Sequence, residues 1–196
     1  MTNEKIKYEI IDNVLPLDKF DKLQKILLPQ GSPDQSLSVP WCYSSCIVAN
    51  PNEKEMTHTL FKEKGISDTE LADEDWRLFG LSHMVYAHKI ISPNFFHEII
   101  STVGKSLDIK ALMRIKLNMY QNTETIKEHG MHIDYDFSHK AAIYSVNTCD
   151  GYTKLKDGTK IDSIANRLLL FDASLPHTSS TTANQTVRVN INFNYF

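Results

Sequence analysis

The spacing of hydrophobic residues changes about halfway along the chain. Before residue 110, apolar residues recur at helical spacing in two segments. The first contains Leu17, Phe20, Leu23, Ile26 and Leu27, and the second contains Phe95, Phe96, Ile99, Ile100 and Val103. Such spacing places apolar side chains on one face of a helix. We therefore predict two amphipathic helices. The first ends before Pro29, and the second begins at Ser92-Pro93, an N-cap residue followed by a first-turn proline.

After residue 110 the apolar positions alternate with polar ones, as they do in a β-strand with one buried face. Short segments with β-strand character also occur earlier in the chain. The predicted strands are 8–15, 41–48, 115–120, 141–147, 167–171 and 186–196. Asp-Gly pairs at 150–151 and 157–158 are typical of turns between strands.

This order of elements, with helices first and short antiparallel strands afterwards, indicates a mainly β protein with flanking helices (α+β). The fold that suits it is a double-stranded β-helix, or jelly roll, with the N-terminal helices packed on one sheet. Because the 196 residues contain no long linker, we predict a single domain over 1–196. Residues 1–110 are expected to form a helical and strand support region, and residues 111–196 the jelly-roll core.

The overall composition narrows the function classes. A hydrophobic share of 41% argues against disorder, and a net charge of −3 provides no basic excess for nucleic acid or an anionic membrane. A local basic groove for nucleic acid stays an open alternative. No apolar run reaches membrane-spanning length, and the polar start MTNEKIKYEI has no apolar signal core. We expect a cytoplasmic protein without a membrane partner, and the oligomeric state is left open.

Two features outside the main strands allow more than one interpretation. The charge-rich segment 51–77, with an acidic run at 73–75, is typical of a solvated surface, and whether 49–80 forms a lid is left open. The three cysteines, Cys42, Cys46 and Cys149, are an odd number in a chain without a signal segment, which disfavours a disulfide framework. Cys42 and Cys46 lack the second pair of a metal site, so we interpret them as buried thiols.

The pattern His132-x-Asp134, followed by His177, indicates a metal site. On a strand, residues i and i+2 point to the same face, so His132 and Asp134 can address one ion. Two imidazoles and one carboxylate make a facial triad that holds Fe(II) and leaves coordination positions open. Zinc also accepts this ligand set, so the triad alone leaves the metal open.

Arg188 lies on a predicted strand in which the polar residues Arg188, Asn190 and Asn192 share one face. An arginine on an inward face is costly without an anionic partner, and a guanidinium binds a carboxylate through two parallel hydrogen bonds. A dicarboxylate could therefore chelate the metal at one end and contact Arg188 at the other. The candidate polar donors to the same ligand are Tyr120, Asn118 and Ser145. The alternative for Arg188 is an ordinary surface position.

The triad and Arg188, together with the segment Arg114–Tyr120 before them and the ending 188–193, resemble the 2-oxoglutarate- and Fe(II)-dependent dioxygenases. The branch that looks most similar is the prolyl-4-hydroxylase-like one, including small members from bacteriophages and marine bacteria. The resemblance covers roughly residues 111–196. It implies that His132, Asp134 and His177 bind iron and that Arg188 binds the distal carboxylate of 2-oxoglutarate. The cofactor-binding set is Arg188, Tyr120, Asn118, Ser145 and Asn190.

The function implied by the resemblance is O2-dependent hydroxylation of an unactivated C–H bond, with release of succinate and CO2. The first candidate substrate is a protein or peptide side chain of the prolyl type, and ascorbate is an optional additional cofactor. One alternative is oxidation of a nucleobase or small molecule. Another is a non-catalytic jelly roll that binds a metal or ligand. If the gene belongs to a phage, the expected location is the host cytoplasm.

The chain departs from this branch at a few positions. A paired glycine of the branch is reduced here to Gly151, and Ser145 stands where some members have a second tyrosine, since Tyr144 is expected to face outward. Because the triad is complete without them, His129 and His139 are predicted to be loop residues, and the other four histidines, which have no partners in the sequence, to be structural or exposed. Those four are His58, His83, His88 and His97.

Overall fold

The computed structural model describes residues 7–28, 39–44 and 80–196. Its helices are α1 (Leu17–Leu27) and α2 (Pro93–Ser101), followed by a short 3-10 helix, Val103–Ser106. Its strands are β1 (Tyr8–Ile11), β2 (Cys42–Ser44), β3 (Gly80–Ala87), β4 (Leu112–Gln121), β5 (Lys140–Ser145), β6 (Tyr152–Leu155), β7 (Lys160–Asp162), β8 (Arg167–Asp172), β9 (His177–Ser179) and β10 (Val187–Tyr195). The acidic run 73–75, His58, Cys46 and almost all of the segment 49–80 lie outside the described residues.

The strands form two antiparallel sheets. The larger has the order β1-β8-β5-β10-β4-β3-β2, and the smaller has the order β7-β6-β9. The chain passes from β5 in the large sheet to β6 in the small one, and later from β9 back to β10. This arrangement confirms the predicted fold class, a jelly roll with helices added near the N-terminus.

The helices cover one face of the large sheet. Phe20, Leu23 and Leu27 of α1 pack in the same core as Ile115 of β4 and Ile191 of β10. Each fully buried side chain of this size contributes about 1.5–3 kcal/mol relative to exposure. One face of the large sheet is therefore used by this core. The other face carries polar residues of β4 and β10 and a second apolar cluster in which Ile143, Leu169 and Phe171 pack with Leu155 and Ile161 of the small sheet. In the part of the chain described, no helix combines the length and apolarity needed to cross a membrane.

The N-terminal region contributes more strands to the large sheet than its sequence pattern suggests. Strand β3 was not predicted, and it pairs with β4 from Leu81 opposite Met119 onward. Conversely, the predicted strand 8–15 ends at Ile11. Helix α2 begins at Pro93 as predicted, but the Ser92 side chain makes no cap hydrogen bond. Sequence alternation identifies strand-forming segments only where one face is polar, which fits β4 and β10 better than β3.

The two Asp-Gly pairs have different structural roles. Gly158 has a φ of 88° in the hairpin between β6 and β7, so the turn prediction at 157–158 is confirmed. The pair at 150–151 lies on the connection from β5 to β6, which belong to different sheets, and closes no hairpin. A Cβ atom on Gly151 would lie 2.6 Å from the Thr181 carbonyl oxygen and 2.7 Å from Cδ of Arg188. Gly151 is therefore required by close packing.

The cysteine prediction is wrong for one residue. Cys42 is exposed, because β2 is the last strand of the large sheet. Cys149 is buried, and both are free thiols. The interpretation of Cys46 as a buried thiol concerns a residue outside those that the structure describes.

Candidate metal centre and anion pocket

His132, Asp134 and His177 meet in one place, with their ligand atoms within 4.8 Å of one another. The backbones of His132 and His177 exchange two hydrogen bonds of 2.9 Å, and the Asp134 amide donates to the Ala173 carbonyl at 3.1 Å. The prediction that His132 and Asp134 lie on a regular strand is wrong. His132 forms an isolated bridge with His177, and Asp134 lies in a bend. Backbone hydrogen bonds from His132 and Asp134 to residues 173–177, which lead into β9, therefore bring the three residues together.

Backbone carbonyls orient both imidazoles. Nδ1 of His132 lies 3.2 Å from the Gly130 carbonyl oxygen, and Nδ1 of His177 lies 3.0 Å from that of Leu175. An Nδ1–H that donates to a carbonyl leaves Nε2 as the metal-binding lone pair. Burial, together with the neighbouring His132, lowers the pKa of His177 to about 4. Burial also lowers the pKa of His132, so both imidazoles are held in the neutral form that binds metals.

Three side chains hold the carboxylate of Asp134. Nη2 of Arg114 donates to Oδ1 at 2.6 Å, while Nδ2 of Asn194 and Nδ2 of Asn192 donate to Oδ2 at 2.8 and 3.3 Å. Burial alone would raise the pKa of Asp134, but the charge of Arg114 and the hydrogen bond from Asn194 help to hold the pKa well below its ordinary value. The carboxylate is therefore ionised.

The roles of Arg114 and Asn194 at Asp134 were missed at the sequence level. Both occupy the polar face of their strands, and they are direct partners across β4 and β10. Alternation in the two strands places them on that face. Only the strand register shows that they share a partner in a distant loop.

The donor set fits a divalent metal ion. Two neutral imidazoles and an ionised carboxylate are the ligands of non-haem Fe(II) sites that retain open coordination positions, and zinc accepts the same donors. In the described residues, this is the one group of three such side chains with suitably close ligand atoms.

Arg188 is fully buried, with 1% of its surface exposed. Nη1 donates to the Ser180 carbonyl at 3.1 Å, Nη2 donates to Oγ1 of Thr153 at 3.1 Å, and Nε has no partner within the described residues. No described carboxylate forms an ion pair with this guanidinium. Burial lowers the pKa of Arg188 from its ordinary value. A buried cation in neutral surroundings is costly, so the pocket favours an anion.

The other candidate pocket residues lie near Arg188. Its Cζ atom lies 5.4 Å from the ring centre of Tyr120, its partner across β4 and β10. Nδ2 of Asn118 donates to Oδ1 of Asn190 at 3.0 Å, and Asn190 pairs with Ser145 of β5. All of these side chains are buried. The structure thus brings the predicted cofactor-binding set together on one polar face.

Strand β10 joins the two halves of the site. Its polar face carries Arg188 at one end, Asn190 next, and then Asn192 and Asn194, which contact Asp134. The opposite face carries Val189, Ile191 and Phe193 of the core, so both faces are buried. One strand therefore links Arg188, which has no ion-pair partner among the described residues, to Asp134 of the candidate metal centre.

Several side chains are more buried than expected. Tyr144 was predicted to face outward, but it is fully buried in the core on the other side of the sheet and donates to Oδ1 of Asn166 at 2.9 Å. His129 and His139 lie in loops as predicted, and both are buried. Nε2 of His139 lies 3.0 Å from Nδ2 of Asn194.

The remaining described histidines agree with the prediction that they are structural or exposed. His83 is buried, and its ring packs edge-to-face against Phe95 with the ring centres 5.4 Å apart. His88 and His97 are exposed. None of the three belongs to the candidate metal centre.

No protein-family model matches this sequence, and no curated protein matches it. Among solved structures, AviO1 from Streptomyces viridochromogenes Tue57 matches with a TM-score of 0.53 and 13% identity, covering 97% of this chain and 90% of that one. The non-haem alpha-ketoglutarate-dependent epimerase SnoN from nogalamycin biosynthesis matches with a TM-score of 0.52 and 12% identity, covering 97% and 78%. A Pseudomonas putida prolyl-4-hydroxylase has a TM-score of 0.49, 10% identity and coverage of 97% and 93%. The chain shares the jelly-roll fold of the first two.

Proposed function

We propose that this protein is an Fe(II)- and 2-oxoglutarate-dependent dioxygenase that hydroxylates an unactivated C–H bond. The observation that carries the proposal is the fully buried Arg188, which has no anionic partner among the described residues and lies on the strand whose far end contacts Asp134. A metal site next to a buried anion site is what a 2-oxo dicarboxylate requires. The shared fold with SnoN, a protein described as alpha-ketoglutarate-dependent, supports this proposal.

The protein's own residues have separate tasks in this scheme. His132, Asp134 and His177 hold the iron, and Arg188 binds the distal carboxylate of 2-oxoglutarate. Ser180 and Thr153 fix the orientation of the guanidinium by accepting from it. When bound, Fe(II) and 2-oxoglutarate supply the oxidising chemistry that consumes O2 and releases succinate and CO2. The buried polar face excludes water around the co-substrate.

We propose a protein or peptide side chain, with prolyl as the first candidate, as the substrate class. Beside Asp134 the rings of Tyr135 and Phe137 stack at 5.4 Å, and Phe137 stacks on Phe196 at 6.0 Å. Phe137 and Phe196 are exposed. Exposed aromatic rings close in sequence to a candidate metal ligand suit the apolar ring of a prolyl residue within a peptide.

Anaerobic titration with Fe(II) and 2-oxoglutarate tests the cofactor assignment. We expect the weak visible charge-transfer band of the chelate, followed by succinate formation when O2 is admitted. Asp134→Ala should lose both signals, whereas Asp136→Ala, which removes an exposed carboxylate two residues further on, should keep them. If the wild-type protein binds neither Fe(II) nor 2-oxoglutarate, the chain is a non-catalytic jelly roll.

A peptide panel then tests the substrate class. Succinate formation should be stimulated by proline-containing peptides, and the hydroxylated product should carry one additional oxygen by mass spectrometry. Stimulation by nucleosides or oligonucleotides alone would replace the peptide assignment with nucleobase oxidation. The net charge of −3 makes that outcome the less expected one.

A further inference from the structure

His129 is a buried histidine with a fixed ring that the candidate metal centre does not use. Its side chain is 5% exposed, and Nδ1 lies 2.7 Å from Oγ of Ser179. The backbone amide of His129 donates to the Ser179 carbonyl at 2.9 Å, and its carbonyl accepts from Oγ1 of Thr178 at 2.6 Å. Strand β9, which begins at the candidate metal ligand His177, thus contacts three atoms of His129: Nδ1, the backbone nitrogen and the carbonyl oxygen.

The other ring nitrogen, Nε2, is buried and has no hydrogen-bond partner among the described residues. Nε of Arg188 is likewise buried and without a hydrogen-bond partner among the described residues. The two side chains contact the same ring, because the His129 ring centre lies 4.9 Å and Cζ of Arg188 lies 5.4 Å from the ring centre of Tyr120. Buried polar atoms are normally paired, so two unpaired nitrogens around one tyrosine point to a ligand between them.

We propose that His129 donates a hydrogen bond from Nε2 to the same distal carboxylate that Arg188 binds. The proposal rests on the function proposed above, and it adds a second recognition residue to the co-substrate pocket. Two donors of different chemistry would then select a 2-oxo acid that carries a second carboxylate. His129 acts as a binding residue and has no part in holding the metal.

This role requires the tautomer that carries its hydrogen on Nε2. In that tautomer Nδ1 accepts from the Ser179 hydroxyl, whose Oγ lies 2.7 Å away. Burial and the nearby charge of Arg188 lower the pKa of His129 to about 3, so the ring is neutral at physiological pH. A neutral donor adds a hydrogen bond without adding a second repelling cation beside Arg188.

Two substitutions separate the roles of the two nitrogens. Asparagine reproduces the Nδ1 position and loses the donor at Nε2, whereas glutamine can place an amide N–H near the Nε2 position. Mn(II)-loaded protein is titrated calorimetrically without O2, once with 2-oxoglutarate and once with 2-oxobutyrate, which lacks the distal carboxylate. We expect His129→Asn to weaken 2-oxoglutarate binding roughly tenfold and His129→Gln to weaken it less than about threefold.

The 2-oxobutyrate and Mn(II) affinities of both variants should stay within about twofold of the wild-type values. Wild-type affinity of His129→Asn for 2-oxoglutarate would overturn the proposal, as would an equal loss for both oxo acids, which is the signature of a structural role. If the wild-type protein binds Mn(II) but not 2-oxoglutarate, the proposed function itself fails, and the proposed role of His129 fails with it.

A second variant keeps the test decisive if His129→Asn does not fold and bind Mn(II). Ser179→Ala removes the donor to Nδ1 and lets the ring hydrogen move to that nitrogen. We expect at least about a threefold loss of 2-oxoglutarate affinity with unchanged Mn(II) affinity. Unchanged 2-oxoglutarate affinity in Ser179→Ala would overturn the proposal independently.

Discussion

Arg114 donates from Nη2 to Oδ1 of Asp134 at 2.6 Å. Its Nε donates to Oδ1 of Asn194 at 2.9 Å, and Asn194 donates in turn to Oδ2 of the same carboxylate at 2.8 Å. Both oxygens of the candidate metal ligand are therefore held before a metal binds. Arg114 also supplies a countercharge to a carboxylate side chain that is only 5% exposed.

Removing this countercharge should destabilise the metal-free protein more than the metal-bound protein. We expect Arg114→Met to lower the free energy of unfolding by about 2–4 kcal/mol without metal, because a nearly buried carboxylate loses its partner. Bound Mn(II) supplies a replacement charge, so the loss should shrink when the protein is saturated with it. Urea unfolding with and without Mn(II) measures both values.

Arg114→Lys is the matched control for the preceding variant, because it retains the charge and should recover most of the stability. An equal loss of stability with and without Mn(II) would show that Arg114 supports the fold without balancing the charge of Asp134.

Arg188 should determine the affinity for 2-oxoglutarate with little effect on the metal. We expect Arg188→Met to weaken 2-oxoglutarate binding by about 2–5 kcal/mol, the usual consequence of truncating one partner of a buried hydrogen-bonded charge pair. The Mn(II) affinity should remain unchanged. Calorimetry on the Mn(II)-loaded protein measures both.

A comparison variant for Arg188 lies on β8. Arg167 donates to both oxygens of Asp12 at 2.6 and 2.9 Å, in an ion pair outside the candidate pocket. Arg167→Met should leave the 2-oxoglutarate affinity at the wild-type value. Unchanged affinity in Arg188→Met as well would remove Arg188 from the pocket.

Gly151 should be intolerant of a side chain because of its contact with Arg188. In Gly151→Ala the new methyl group would meet the Thr181 carbonyl and Cδ of Arg188, both closer than 3 Å, so one of them must move. We expect at least a tenfold loss of 2-oxoglutarate affinity and about 1–3 kcal/mol of stability. Affinity and thermal unfolding, measured on the same sample, give both.

Gly158→Ala separates backbone strain from crowding in this comparison. Its Cβ would meet no atom within 4 Å, but the backbone there has a φ of 88°. We expect a loss of about 1 kcal/mol from the left-handed conformation and no change in 2-oxoglutarate affinity. Equal affinities in the two alanine variants would contradict the proposed role of Gly151.

Asn166 connects the N-terminal segment to the core of the large sheet. Oδ1 accepts from the Leu15 amide at 2.9 Å and from the Tyr144 hydroxyl at 2.9 Å, while Nδ2 donates to the Leu15 carbonyl at 2.8 Å. We expect Asn166→Ala to cost about 2–4 kcal/mol, since it strands buried polar groups and places alanine at a φ of 62°.

Two further variants separate the contributions of the backbone conformation and of the side-chain hydrogen bonds to this loss of stability. Asn166→Gly tolerates the backbone and loses only the side-chain bonds, whereas Tyr144→Phe loses one bond and should cost about 1 kcal/mol. Denaturant unfolding should therefore rank Asn166→Ala as the least stable. The interpretation fails if Tyr144→Phe is as damaging as Asn166→Ala.

Periodicity and residue types were enough to predict the fold class and the triad with Arg188, although they missed Arg114 and Asn194. Helix α1 and strand β10 have clean periodicity, because each has one face in the same core, and periodicity is a local property that a sequence displays directly. The residue types His, Asp and His, with an arginine on a polar strand face, restrict the ligands by their donor atoms alone. No structure was needed to name them.

Long-range packing determines how those residues are held and which others join them. The pairing of β4 with β10 sets the register that places Arg114 beside Asn194. The bridge between His132 and His177 at the start of β9 brings the triad together. Burial of His129 and the approach of Gly151 to Arg188 depend on residues far apart in the sequence. Alternation shows which face a side chain occupies, but only long-range packing decides whether that face is covered and what it contacts.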